Sequence, residues 1–70
     1  MAGHGILVRP AGRDRWATDD SHEGEPLLEI ARLPGGRAWV KHRDARRREV
    51  FDSVAEAKAY VRTRYGARVA

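Results

Sequence analysis

The fold is decided by Gly36-Arg37-Ala38-Trp39-Val40-Lys41-His42-Arg43-Asp44-Ala45-Arg46-Arg47-Arg48-Glu49-Val50-Phe51, followed by Asp52-Ser53-Val54-Ala55-Glu56. Residues 37–43, around Trp39 and Val40, alternate as a strand does. Asp44-Ala45-Arg46-Arg47 turns the chain, and 48–51 returns as a short strand. Ser53 and Glu56 then form a capping box: the serine oxygen accepts from the amide three residues on, and the glutamate reaches back. Val54, Ala57, Val61 and Tyr65 recur at three- and four-residue steps, so one stripe of the helix is apolar. Gly66 suits the residue just past a helix end, and Arg62 and Arg64 suit its negative pole. A helix is predicted over 53–65.

Register decides which side chains meet that helix. Setting Arg43 opposite Arg48 puts Lys41 opposite Val50 and Val40 opposite Phe51. Ala38, Val40, His42, Glu49 and Phe51 then share one face, and Arg37, Trp39, Lys41, Arg43, Arg48 and Val50 the other. The helix covers the first. A slip of one residue would instead send Trp39 into the core.

Upstream, Pro34-Gly35-Gly36 is a turn, and it leads back to a strand at 27–33 with Leu28 and Ile30 on the Val40 side. Residues 19–26 are polar, acidic and aperiodic, which marks a loop. Arg15–Thr18 is a short strand that forms a hairpin with Gly5–Pro10, which Pro10 ends. The expected fold is a single α+β domain spanning 1–70: a mainly antiparallel sheet of four to five short strands, with one C-terminal helix packed on one face. Pro10 to Trp16 and Pro34 to Trp39 share a turn, an arginine and a tryptophan in order, a similarity that this composition produces by chance.

The 70 residues carry 14 Lys and Arg against 10 Asp and Glu, for a net charge of +4. That charge is unevenly placed. Residues 1–35 hold six anions and four cations; residues 36–70 hold ten cations and four anions, a local excess of +6. The second half has a field of its own.

Several functions are excluded or disfavoured. A chain this short buries only about 60% of its unfolded surface, which disfavours a deep substrate cavity. With no cysteine, a disulfide, a thiolate zinc site and a cysteine nucleophile are excluded. All-apolar runs such as Ile6–Val8 fall far short of a membrane span. The start of the chain lacks the pattern of a signal peptide, so a cytoplasmic location is expected. His4, His22 and His42 lack metal-ligand spacing, and residues 19–25 lack the spacing of a calcium loop. Ser21-His22 beside acids does not make a triad, which needs groups converging from a rigid shell. We expect no enzyme activity, no cofactor, no small-molecule substrate and no membrane association.

The basic run is the feature that points to a partner. Cations along a strand around an aromatic residue, with more cations at the hairpin tip, suit a sheet that enters a DNA groove and contacts phosphates. Residues 36–61 read Gly-Arg-x-Trp-Val-x-x-Arg-Asp, then Arg-Arg-x-x-Val-Phe, then Ser-x-x-Glu-Ala-x-x-Tyr-Val. This pattern resembles the small three-stranded-sheet-plus-helix DNA-binding domain of phage-type tyrosine integrases and of plant ethylene-response-type factors. The matching positions are Gly36, Trp39, Arg43, Asp44, the arginines before the last strand, Phe51 and the pair Glu56-Ala57. The resemblance implies a sheet lying in the major groove of double-stranded DNA, braced by the helix behind it. It covers about a third of the chain. The N-terminal hairpin and acidic loop are additions to that minimal domain, and a recombinase catalytic domain is not expected. On this resemblance Arg37, Trp39, Lys41, Arg43 and Arg48 face the groove, while Arg46 and Arg47 contact phosphates, in a small protein of phage or mobile-element type. The alternative is a protein-interaction module that docks on a larger protein through Trp39 and Val50, or through Trp16.

Overall fold

A computed structural model describes residues 5–19 and 24–70. The elements are β1 (Leu7–Gly12), β2 (Arg15–Thr18), β3 (Leu28–Arg32), β4 (Ala38–His42), β5 (Glu49–Phe51), α1 (Val54–Tyr65) and β6 (Arg68–Val69). They form one six-stranded sheet in the order β5-β4-β3-β2-β1-β6 and one helix, an α+β fold. Every pairing is antiparallel except β1 with β6. The expected loop at 19–26 is described only in part, because 20–23, like His4, lie outside the described residues.

The turns follow from their residues. Between β3 and β4 the amide of Gly36 donates to the carbonyl of Leu33 at 3.1 Å. Proline stands at the second position of this turn and Gly35, with φ 91°, at the third. That positive φ is the demand of a type II turn, which glycine meets without a steric penalty. Ser53 caps α1 by accepting from the amide of Glu56 at 3.1 Å. Gly66 leaves the helix in the left-handed conformation, φ 65°.

The core lies between the sheet and α1. Val8, Leu28, Ile30, Ala38, Val40, Ala57, Val61 and Ala67 are buried there. Trp16, Phe51, Val54, Tyr60 and Tyr65 pack around them. Four of these core residues, Val8, Leu28, Ile30 and Val61, are the largest fully buried side chains. Each stabilises the fold by about 1.5–3 kcal/mol through burial. Most of the other core residues are alanines, so the fold depends heavily on these four.

Three expectations are corrected. Pro10 does not end the first strand: β1 continues to Gly12 with an irregularity between Pro10 and Gly12. The reason is that β6 pairs only with Leu7 and Val8. Beyond Val8, β1 is an edge, where proline lacks no ladder partner. Second, β4 and β5 pair two residues away from the expected register, with Ala38 opposite Phe51, Trp39 opposite Val50 and Val40 opposite Glu49. A shift of two preserves the pleat, so the division of side chains between the faces stands. Third, the sheet has a sixth strand. After α1 the chain returns alongside β1, with Arg68 donating to Ile6 and Ala70 to Val8, each at 2.8 Å.

That last strand also shapes the sheet. The segment β5–α1–β6 joins one edge of the sheet to the other. The helix α1 touches both edge strands, β5 and β6, as well as β3 and β4 between them. The edges therefore curl toward α1, and the opposite face is convex. Among the described residues, no helix is long and apolar enough to cross a membrane.

Candidate nucleic-acid interface

Register places the convex, helix-free face. One row across it runs Val50, Trp39, Ala31, Arg15; the next runs Lys41, Glu29, Ala17, Arg9. Trp39 sits opposite Ala31 and Val50, on the side away from the helix. The two alanines at the centre of the face are each only 8% exposed although no helix covers them. Their larger neighbours on adjacent strands shield them. Val50, next to Trp39, is 51% exposed.

The cations on this face fall into two groups. Toward β1 and β2, Arg9 pairs with Asp19 at 2.5 Å, and Arg15 pairs with Glu29. Glu29 stands directly opposite Lys41, yet its carboxylate goes to Arg15. Lys41 instead donates from Nζ to the carbonyl of its neighbour His42 at 3.3 Å. Toward β4 and β5, the guanidinium of Arg48 lies 4.5 Å from the centre of the Trp39 ring. A cation over an indole face is attracted by the ring quadrupole, by about 0.5–1 kcal/mol at an exposed site. Among the described residues, Arg37, Lys41, Arg46, Arg47 and Arg48 have no carboxylate within ion-pairing distance.

Of the seven residues expected to form a site, Trp39 and Lys41 project from β4 onto the convex face, and Arg48 joins them through the indole. Arg46 and Arg47 are exposed in the turn between β4 and β5. Arg37 is exposed just before β4. Arg43 is half-buried in the first part of the turn, where its amide donates to the carbonyl of Leu27 at 2.8 Å. Sequence reasoning missed Arg9 and Arg15 on this face, although alternation along β1 and β2 was enough to find them. Their ion pairs depend on cross-strand proximity, which needs the sheet order.

Behind the same end of the sheet lies an aromatic cluster that joins β4, β5 and α1. His42 stacks on Tyr65 with ring centres 5.2 Å apart, and Phe51 meets Tyr60 at 4.9 Å. The Tyr60 hydroxyl donates to Glu49 at 2.9 Å. That bond to a carboxylate, helped by partial burial, raises the Tyr60 phenol above its usual value. The His42 Nδ1 accepts from the Asp44 amide at 3.1 Å. Trp16 faces the helix side, where Lys58 lies 4.5 Å and Arg32 5.9 Å from its ring centre. The two tryptophans thus occupy opposite faces of the sheet.

Compared with family models, curated proteins and solved structures, this chain matches none of them.

Proposed function

We propose that this chain is a small DNA-binding domain that binds double-stranded DNA through the convex face around Trp39, without chemistry or a cofactor. The reading rests on one observation: cations with no carboxylate neighbour among the described residues gather at the β4–β5 end of the face opposite α1. Arg48 is held on the indole of Trp39, which limits its rotamers before any phosphate or base arrives. Arg46 and Arg47, exposed at the turn, are the phosphate contacts; Lys41 projects from the groove-facing strand, and Arg37 and Arg43 flank it. A convex sheet suits a major groove, which admits a β-ribbon. The likeness of residues 36–61 to integrase-type and ethylene-response-type domains points the same way.

A second reading draws on Val50, which is half exposed beside Trp39. A half-buried tryptophan beside an exposed valine, with arginine next to them, is the composition of a protein-binding hot spot.

Titration of a labelled mixed-sequence duplex at two salt concentrations separates the two. DNA binding through phosphates gives an affinity that falls steeply with salt, and Arg46→Ala lowers the slope by about 0.9. Absence of binding at low salt rules out the DNA reading. The docking reading then requires that Trp39→Ala abolish capture of a protein partner while the domain stays folded.

A further inference from the structure

The turn that carries Arg46, Arg47 and Arg48 is tied down from behind, by a residue of the helix-facing side. His42 ends β4, and its carbonyl accepts from the amide of Ala45 at 3.0 Å. Its ring nitrogen Nδ1 accepts from the amide of Asp44 at 3.1 Å. Both bonds set the course of the chain as it enters the arginine run. The ring is itself oriented by stacking on Tyr65 of α1, with planes 17° apart. An imidazole that accepts at Nδ1 is neutral and carries its proton on Nε2. The geometry points to His42 as the positioning residue of the arginine turn: its neutral imidazole holds the Asp44 amide, and protonation at Nδ1 releases it. This rests on the proposed DNA reading only where binding is the readout.

Charged and titratable groups face His42 from every element packed against it except β3. On β4, Lys41 Nζ is 3.3 Å from the His42 carbonyl oxygen. From α1 come Tyr65 and the guanidinium of Arg64, 5.2 Å from the centre of that tyrosine ring. Glu49 of β5 is held by Tyr60. On β3 the residue opposite is Leu28, which is fully buried. Asp44 and Arg43 stand in the turn itself. A protonated Nδ1 is a donor facing a donor, so the Asp44 bond is lost whatever the neighbouring charges do. The new positive charge stays behind the sheet, on the face opposite Trp39. Loosening of the turn therefore outweighs any added attraction to phosphate, and acidification weakens binding. A histidine that contacts phosphate has the opposite sign.

The test measures duplex affinity at fixed salt at about pH 8 and at about pH 5.5. Wild type, His42→Asn and His42→Ala are compared, since an Asn carbonyl can accept from the Asp44 amide at any pH. His4 and His22 are present in all three and cancel. Wild type should weaken about fivefold on acidification, the effect of one net hydrogen bond. The Asn variant should stay tight at both pH values, and the Ala variant weak at both. Tighter binding of wild type at low pH, or an Asn variant that behaves as Ala does, would overturn the proposal. If wild type binds no DNA, the DNA reading falls and the Asp44 amide resonance decides the cap alone. That resonance must titrate with the imidazole in wild type and stay constant in His42→Asn; a constant wild-type resonance overturns it.

Discussion

At the β1–β2 end of the convex face, Arg9 and Arg15 each rest on a carboxylate. At the β4–β5 end, Lys41 and Arg48 have none among the described residues, and Arg48 lies on an indole instead. Both ends are built from strands of the same sheet and similar residues. They differ in what they can offer a polyanion. A paired cation already has its counter-charge, so bringing it to a phosphate releases little from the DNA counterion atmosphere. An unpaired cation contributes in full. Net charge is thus a poor guide to a binding face, and the wiring of each cation decides its use.

The comparison can be broken most severely from beneath. Ile30 is fully buried behind the sheet and pairs with both Trp16 and Val40. Ile30→Ala should cost about 2–5 kcal/mol and erase the distinction between the ends by unfolding the sheet, as thermal or denaturant unfolding would record. Removing the counter-charges sharpens the contrast instead. Asp19→Asn with Glu29→Gln frees Arg9 and Arg15, and should steepen the salt dependence of DNA binding by up to about 1.8, or 0.9 per freed cation. Because the Arg9–Asp19 pair is 55% and 71% exposed, loss of that pair alone should cost under about 1 kcal/mol of stability. Trp39→Ala tests what holds Arg48. It should weaken duplex binding by about two- to fivefold through loss of the cation–π contact, while circular dichroism shows an unchanged fold.

The smallest effect lies behind the basic end. Tyr60 donates to Glu49, and its phenol is raised from 10.0, chiefly by that hydrogen bond. A raised value means that the folded state keeps its proton longer than the unfolded state. The contribution is complete below about pH 10 and is lost as pH rises through the folded value. The wild-type melting temperature should fall more steeply with pH above that point than the melting temperature of Tyr60→Phe.

Much of the fold was legible because its signals are local. Ser53, Glu56 and Gly66 mark the helix ends by their own hydrogen bonds and backbone preferences, and α1 starts and stops where they place it. Pro34-Gly35-Gly36 fixes a tight turn, so the pairing of Ile30 with Val40 follows. The assignment of faces rested on period-2 alternation alone, and it survived an error of two residues in the β4–β5 register for that reason. Non-local features were not legible. Two residues cannot display a period, so β6 had no pattern to read, and Pro10 was misjudged because the strand beside it was unknown. The candidate site was half legible: alternation put Trp39 and Lys41 on the outer face, but the ion pairs of Arg9 and Arg15 and the cap on the arginine turn depend on which strands are neighbours.

The most direct measurement compares the two ends by the salt dependence of duplex affinity. The triple variant Arg46→Ala, Arg47→Ala, Arg48→Ala is set against Arg9→Ala, Arg15→Ala in an otherwise wild-type chain. The expected result is a slope reduced by about 2.7 in the first and by less than about 0.5 in the second. Equal reductions per arginine in the two variants, or a wild-type affinity that does not change with salt, would contradict the assignment of the β4–β5 end as the DNA-binding surface.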